Sequence, residues 1–408
     1  ADVDANETAS DTADATLQTN IDAVQADVDA NETAANTAIA AVQADVDANE
    51  TASDTADATL QNLIDVLILR IETLEALHSS ASYTPNVQSG SGNFQESKYL
   101  KVGDTYFVFG NFSNASLNSP IKINIPTSTV FSNSNEVNGV ISGYMMGMES
   151  VGGYIEAVPG TNQVNLSARG AHEMTNDTSG SYIFSYSDNS SGNTYTPSTS
   201  GMIDVSEANY EIVGSTVFVN GNFSNGDFYG MGITADISIP TTTVFSNIND
   251  VSGVISGYMM GMESVGGYIE AVPGTSNIRL YVAGAHMMAF DTTGSFIFSY
   301  NIDNNASTSY TPTLSGNGII DTINYFQYGS MIVVNGKFSN LIDGATITLP
   351  ISSYFTSSTE VSGMITAKDY ESFGGYIESV PNSQQVIFKL RGAHGQNIAH
   401  DGSFYFIY

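Results

Sequence analysis

Apolar side chains recur at intervals of three or four positions over the first 79 residues. One stripe runs unbroken through Val3, Asn6, Ser10, Ala13, Leu17, Ile21, Val24, Val28, Asn31, Ala35, Ile39, Val42, Val46, Asn49, Ser53, Ala56, Leu60, Ile64, Leu67, Ile71 and Leu74. Steps of this size place the stripe on one face of an α-helix and are typical of a coiled-coil seam. No Gly or Pro interrupts the chain before Pro85. The pattern therefore favours a coiled-coil stalk over residues 1–79, in preference to a disordered acidic segment.

The segment ADVDANE occurs three times in this stalk, and its spacing sets the helical twist. The copies occupy Ala1–Glu7, Ala26–Glu32 and Ala44–Glu50. Their spacings of 25 and 18 residues contain seven and five steps of the stripe, or about 3.6 residues per turn, which predicts a nearly straight helix. A single helix with so many small seam residues is unstable alone, so the pattern predicts a parallel trimer of helices.

Three asparagines, Asn6, Asn31 and Asn49, fall on the predicted seam, each three residues after a seam valine. Polar layers of this kind lower the stability of a coiled coil but fix its register and its number of strands. We interpret them as layers that control register. The alternative, in which three amides surround a water molecule or an anion, stays open.

Past Ser79 the apolar pattern alternates with a period of two, and the chain repeats itself three times. We name residues 80–193, 194–308 and 309–408 repeat 1, repeat 2 and repeat 3. Each repeat has a Tyr-Thr-Pro start, a GGYIE segment, a Gly-Ala-His segment and a closing aromatic strand such as SYIFSY. About seven short strands separated by Gly, Asn, Ser and Pro turns predict an antiparallel β-sandwich in each repeat.

Each repeat has, in order, Tyr-Thr-Pro, a strand ending in G-x-F, an I/L-P-x-x-x-x-F element and a final F-x-F-x-Y-type strand. This order resembles a domain found at the ends of phage tail and virion fibres, and the ADVDANE segments resemble the stalks of such fibres. The resemblance covers most of the chain and implies a homotrimer that projects from a particle and touches the host surface. The triplication of the domain departs from that family pattern and suggests that two repeats are spacers and that repeat 3 is the tip.

Charge and composition exclude several classes of partner. The chain has 42 acidic and 10 basic residues, for a formal net charge of −32, so it lacks the clustered cations that nucleic acid binding needs. An anionic membrane surface is disfavoured for the same reason, and no apolar run reaches the roughly 20 residues of a membrane span. The chain has no cysteine, which excludes disulfides and thiol chemistry.

Repeat 3 departs from the other two in a segment that we consider a candidate receptor-binding site. It reads GMITAKDYESFGGY where the others read GYMMGME before the two glycines. The candidate residues are Lys368, Asp369, Tyr370, His394, Gln396, Asn397 and His400. Side chains of these types bind sugars by stacking and hydrogen bonds. The alternative is sequence drift in a terminal domain.

Other recurring residues receive structural interpretations. His172, His286 and His394 recur at one place in each repeat and could meet on a threefold axis around a metal, but a structural role is favoured, and no metal or cofactor is expected. The methionine segments 143–149 and 257–263 are assigned to packing. Pairs of glutamates seven residues apart, such as Glu149 and Glu156, show no companion cleft, so no enzyme is predicted.

The sequence and this resemblance together predict a structural, homotrimeric virion fibre in the extracellular space, with a coiled-coil stalk followed by three tandem β-sandwich domains. The favoured form is a phage tail fibre that attaches to the host surface through its C-terminal β domains. Its expected partners are further copies of itself, a virion or baseplate protein at the N-terminal side, and a host-surface glycan or protein. Neither nucleic acid nor membrane insertion is expected. A head or capsid fibre and a bacterial surface adhesin or injection-system fibre are the alternatives with the same architecture.

Overall fold

The computed structural model divides the chain into two compact units, Ala1–Leu74 and Glu75–Tyr408. It describes all residues except 1, 146–148, 173–175, 189–192, 202, 206, 229–233, 260–262, 285–290, 303–307, 329–330 and 352–353. The second unit, called the β unit below, contains all three repeats.

Helix α1, Asp2–Leu77, accounts for almost all of the first unit. The helix confirms the three- and four-residue periodicity, but the predicted trimeric coiled coil was wrong. The stripe is solvent-exposed from Val3 to Ile71, and Asn6, Asn31 and Asn49 are exposed as well. The local pattern is enough to specify a helix, whereas a seam is buried only where a second helix covers it. The described part of the chain contains no other α-helix.

The β unit is built almost entirely of antiparallel strands. Repeat 1 contains β1 (His78–Tyr83), β2 (Val87–Ser89), β3 (Ser91–Phe94), β4 (Ser97–Val102), β5 (Thr105–Ser116), β6 (Ile121–Asn124), β7 (Val137–Met145), β8 (Glu149–Val158), β9 (Gln163–Gly170) and β10 (Thr178–Ser187). Repeat 2 contains β11 (Thr194–Tyr195), β12 (Thr199–Ser200), β13 (Ala208–Val213), β14 (Thr216–Gly226), β15 (Thr234–Ser238), β16 (Val251–Met259), β17 (Glu263–Val272), β18 (Asn277–Gly284) and β19 (Thr292–Asn301). Repeat 3 contains β20 (Thr308–Ser309), β21 (Leu314–Ser315), β22 (Ile319–Tyr328), β23 (Met331–Ile342), β24 (Thr346–Thr348), β25 (Ser362–Lys368), β26 (Ser372–Ser379), β27 (Gln385–Gly392) and β28 (Ile398–Ile407).

Each repeat forms one curled antiparallel sheet with the same strand order. In repeat 2 the order is β11-β13-β14-β19-β16-β17-β18-β15-β12, and the sheets of repeats 1 and 3 match it strand for strand, with β3 added beside β5 in repeat 1. The closing strand of each repeat lies in the middle of its sheet. Short 3₁₀ turns at Ser134–Glu136 and Ile248–Asp250 lead into β7 and β16. No helix in the described part of the chain is both long and apolar enough to cross a membrane.

The predicted β-sandwich was wrong, because the described strands of each repeat form one curled sheet rather than two stacked sheets. One face of each curled sheet closes on its own apolar core, which in repeat 1 includes Phe112, Tyr182, Phe184 and Tyr186. Ile183 of the closing strand lies on the opposite face from these side chains, as an alternation with a period of two requires. Alternation identifies the two faces of a strand, but it does not say what covers the second face.

A single apolar cluster joins the second faces of all three sheets. It contains Val140 and Ile183 of repeat 1 together with members of the other two repeats: Phe218, Val254, Ile297, Val333, Met364, Tyr405 and Ile407. The rings of Phe107 and Phe218 lie 5.4 Å apart across the boundary of repeats 1 and 2. The three repeats therefore lie side by side around a common core, and repeat 3 is not spaced away from the other two.

Buried hydroxyl groups at matching positions connect the sheets in a cycle. Ser142 of repeat 1 donates to the carbonyl oxygen of Ile365 in repeat 3, at 2.9 Å. Ser256 donates to the carbonyl of Ile141 at 2.6 Å, and Thr366 donates to that of Gly267 at 2.6 Å. Each repeat thus donates one bond and accepts one. Three consecutive repeats of one chain adopt the approximate threefold arrangement that three identical chains would form.

The two glycines of the GGYIE segment have separate packing roles. A Cβ atom at the first glycine of repeat 3, Gly374, would lie 2.7 Å from the carbonyl oxygen of Gly143 in repeat 1. A Cβ atom at the second glycine, Gly375, would lie 1.9 Å from the carbonyl oxygen of Lys389 on the neighbouring strand. The first glycine therefore allows the backbone of the adjacent repeat to approach closely, and the second allows the same for the adjacent strand of its own sheet.

Candidate functional site

The residues predicted to bind a receptor gather at one end of the sheet of repeat 3. Strands β25 and β26 are joined there by a short turn in which the backbone N–H of Asp369 donates to the carbonyl of Glu371 at 3.0 Å. Tyr370 occupies this turn and is 56% exposed. Lys368, the last residue of β25, pairs with Asp401 of the neighbouring strand β28. The ends of β25 and β27 and the starts of β26 and β28 thus meet at this place.

The Gly-Ala-His segment folds back onto the same end of the sheet. The backbone N–H of Gly392 donates to the carbonyl of Gln396 at 2.7 Å, and that of Ala393 donates to the carbonyl of Ser372 at 3.0 Å. Gly395 has a φ of 76°, a left-handed conformation that glycine adopts without a steric penalty. The side chains of Gln396 and Asn397 are left exposed by this turn.

A histidine–glutamate pair holds each described Gly-Ala-His turn. The Nδ1 atom of His394 lies 2.5 Å from Oε2 of Glu371, and that of His172 lies 2.8 Å from Oε1 of Glu149. Both glutamates are largely buried, whereas both imidazoles are about half exposed. One sequence signal marks this pairing, which is not among the predictions above: a separation of 23 positions between Glu and His recurs in both pairs. His394 is therefore part of the internal structure of the turn rather than a free contact residue.

The two pairs approach each other across the boundary between repeats 1 and 3. The imidazole rings of His172 and His394 lie 5.6 Å apart in an edge-to-face arrangement. The third repeating histidine, His286, lies outside the described residues. Within the described part of the chain, no three His, Asp or Glu side chains are arranged to hold a metal ion.

Three buried serines lie beside these glutamates and mark the centre of the threefold arrangement. The Oγ atoms of Ser150 and Ser264 lie 3.0 Å apart, and each lies 3.2 Å from the Oγ of Ser372. Each serine directly follows the glutamate of its repeat. In the neighbouring Glu149, Oε2 is buried without a hydrogen-bond partner among the described atoms.

Lys368 replaces a tyrosine of the other repeats and contacts repeat 2. It pairs with Ser372 across its hairpin, as Tyr144 pairs with Ser150 in repeat 1. The Nζ atom of Lys368 lies 5.3 Å from the centre of the Tyr281 ring. Burial lowers the pKa of Lys368, opposed by the carboxylates of Asp401, Asp369 and Glu270. Lys368 is therefore engaged in packing between repeats.

The other two boundaries reverse this pairing of cation and ring. Tyr144 of repeat 1 lies against Arg391 of repeat 3, with 5.7 Å from the guanidinium carbon to the ring centre. Tyr258 of repeat 2 lies against Arg169 of repeat 1, at 5.4 Å. Only between repeats 2 and 3, among these three contacts, does the strand that enters the hairpin, β25, supply the cation; β7 and β16 supply the ring. The three boundaries are thus related in position but different in chemistry.

His400 and Asp369 form the remaining contact among the predicted site residues. The Nδ1 atom of His400 lies 3.2 Å from Oδ1 of Asp369, and the histidine side chain is 54% exposed. Tyr370, Gln396, Asn397 and His400 are thus the predicted site residues with exposed side chains that do not pack between repeats.

The glutamate pairs do not meet in a cleft. Glu149 and Glu156 both lie on β8, seven positions apart, so at about 3.3 Å per residue their backbones are about 23 Å apart. Paired carboxylates in glycoside hydrolases lie within about 10 Å of each other. Burial also raises the pKa of Glu378, a member of the matching pair in repeat 3.

The methionine segments are described only in part, since residues 146–148 and 260–262 lie outside the described residues. Met259 is buried in the core of repeat 2, and Met145 packs against that of repeat 1. Comparison with family models, with curated proteins and with solved structures returned no match for this chain.

Proposed function

We propose that the protein is a virion fibre, most simply a tail fibre, that attaches to a host cell surface through its β unit. The N-terminal side then joins the virion or its baseplate, and the fibre lies outside the cell. The proposal rests on one observation in particular. At one end of repeat 3, Tyr370, Gln396, Asn397 and His400 present exposed aromatic, amide and imidazole groups that do not pack between the repeats.

These groups suit a glycan or a polar protein surface. A tyrosine ring stacks on the apolar face of a sugar, and amide groups both donate and accept hydrogen bonds from hydroxyls. The strands beneath the loops are buried on both faces, so the loops stand on a rigid support. Rigid elements beneath a binding surface reduce the entropy that binding costs.

Binding of the labelled full-length protein to a panel of bacterial strains tests this function. We expect saturable binding to some strains, and a drop of at least tenfold in the variant that combines Tyr370→Ala with Asn397→Ala. Tyr354→Ala is the matched control, because Tyr354 is 70% exposed on another loop of repeat 3. Absence of binding to every strain would count against attachment. An equal drop in the control would count against this end of repeat 3.

A further inference from the structure

A polar cavity of about 310 Å³ lies where repeats 1 and 2 meet. Its walls come from the loop before β7, the end of β10 and the first strands of repeat 2. Side chains with polar groups dominate the lining and include Asn135, Glu136, Asp188, Asn193, Glu207 and Asn209. The volume is at the lower end of the range of about 300–1,000 Å³ that small-molecule sites occupy.

Two carboxylates fix the walls of this cavity. Glu136 accepts hydrogen bonds from the backbone N–H groups of Ser132 and Asn133, each at 3.1 Å, and so holds the loop before β7. Asp188 accepts a hydrogen bond from the Thr129 hydroxyl at 2.5 Å. These contacts form the cavity without a ligand, and a preformed site loses less entropy on binding.

Other polar groups at the cavity have no partner within the described part of the chain. Ser185 is among the lining residues and is 1% exposed, and its hydroxyl makes no hydrogen bond within the described residues. The side chains of Asn193, Glu207 and Asn209 likewise make no hydrogen bond within the described residues.

The chemistry of the lining selects the ligand. Amides donate and accept, carboxylates accept, and a serine hydroxyl does both, which together match a ring that carries several hydroxyl groups. Lys101 lies 3.6 Å from Asp188 and offsets that carboxylate. The described lining residues include Glu136 and Glu207 but no Lys or Arg, so an anionic sugar or a phosphate is repelled. We propose that this cavity binds one uncharged saccharide unit. The proposal rests on the proposed function, since it supplies a glycan contact for the attachment.

The equivalent place in repeat 2 offers a comparison within the same chain. The backbone N–H of Asp188 bonds to the carbonyl of Asp104, and that of Ile302 bonds to Ser215 in the same manner, so Ile302 stands where repeat 1 has Asp188. Asn324 of repeat 3 is the equivalent of Asn209. Asn209 follows Ala208, which pairs with Gly221 of β14, and Asn324 follows Ile323, which pairs with Gly336 of β23. Asn324 does not line the cavity.

Saturation-transfer NMR and calorimetry on the full-length protein test the proposal. The neutral ligands are N-acetylglucosamine and the methyl glycosides of glucose, galactose and mannose. Glucuronic acid is the anionic ligand for comparison. At least one neutral sugar should bind with millimolar affinity, and glucuronic acid should bind at least tenfold more weakly. Asn209→Leu and Asp188→Ile should each weaken binding at least tenfold, whereas Asn324→Leu should leave it unchanged.

Several outcomes would overturn the cavity assignment. These are failure of every neutral sugar to bind, equal binding of glucuronic acid, or undiminished binding in a folded Asn209→Leu protein. The cell-binding assay separates this result from the proposed function. Attachment to cells without sugar binding in the cavity rejects the inference alone, whereas sugar binding without attachment to any strain rejects the function.

Discussion

The hydroxyl oxygens of Ser150 and Ser264 lie 3.0 Å apart, although 114 residues separate them in the chain. Ser372 completes a ring of three buried hydroxyls, one from each repeat. A ring of this kind satisfies three polar groups in a place where water has no access, and it joins all three sheets at one point. Replacing one of these serines by alanine removes one hydroxyl and opens the ring, so the contribution of the ring to stability can be measured.

We expect Ser264→Ala to lower the free energy of unfolding by about 1 kcal/mol, because its two neighbours lose a buried hydrogen bond. Ser264→Val should cost roughly 2 kcal/mol, since its added methyl groups enter a closely packed centre. Urea denaturation of the full-length protein measures both. Ser119→Ala, at an exposed serine, is the control and should change the value by less than about 0.5 kcal/mol. Equal stability of all three variants would contradict the role of the ring.

Gly374→Ala should destabilise the β unit by roughly 3 kcal/mol, because the new Cβ atom would meet backbone that cannot turn aside. That atom would lie 2.7 Å from the carbonyl oxygen of Gly143 and 2.9 Å from that of Val151, both in repeat 1. The thermal midpoint and the urea midpoint should both fall.

The control for this change is Gly160→Asn. Gly160 has a φ of 77° and no atom within 4 Å of the position of a Cβ, and asparagine tolerates the left-handed conformation better than most residues. A small effect at Gly374 with a large effect at Gly160 would show that the repeats do not approach each other as described.

Lys337 should make the stability of the protein depend on pH in the alkaline range. Its ammonium group is 3.5 Å from Glu270 and donates to the carbonyl of Ile248 at 2.6 Å. Burial lowers the pKa of Lys337 to about 8, against the opposing effect of the Glu270 carboxylate. Above this value the folded protein has released a proton that the unfolded chain still holds. The free energy of unfolding therefore rises with pH from about 8 toward the ordinary lysine value.

Between pH 8 and 9.5 the free energy of unfolding should rise by about 1.5 kcal/mol, because one unit of pKa difference corresponds to about 1.36 kcal/mol. Urea denaturation across this window, in the native protein and in Lys337→Met, isolates the contribution, because other titrating groups are common to both. The slope should be smaller in Lys337→Met and unchanged in Lys122→Met. A parallel pH dependence in all three proteins would refute the assignment to Lys337.

The helix and the threefold repetition could be read from the sequence, because both depend on local patterns. The stripe from Val3 to Ile71 specifies a helix wherever its neighbours lie, but whether that stripe is covered depends on contacts outside its own sequence. The period-two alternation likewise separated Phe296 and Phe298 from Ile297 correctly, and the structure places the two sets in different cores.

The packing of the repeats against one another was harder to predict, although a signal was present. In the closing strand of repeat 1 every residue from Ser181 to Tyr186 is buried, and in β7 the same holds from Val137 to Gly143. Strands covered on both faces carry apolar residues without strict alternation, as the adjacent Val140 and Ile141 do. A strand of a sandwich with one solvent face would not contain such a pair.

The location of the candidate site could be predicted from the sequence, whereas its contacts could not. The site residues were found where repeat 3 departs from the other two repeats, and the structure places them together at one end of the sheet. Chain position alone could not show that Lys368 lies over a ring of repeat 2 or that His394 is held by Glu371. Those contacts cross between strands or repeats, and only the recurring distance of 23 positions between Glu and His hinted at one of them.

The side-by-side packing of three unequal repeats in one chain also limits the valency of the molecule. A ring of three identical chains presents every surface three times, and its avidity grows accordingly. Here the loops around Tyr370 belong to repeat 3 alone, and the cavity at Asn209 lies at one of three boundaries. Each β unit then offers one copy of either surface. Under the proposed function, tight adhesion from weak contacts would therefore depend on how many chains are displayed together.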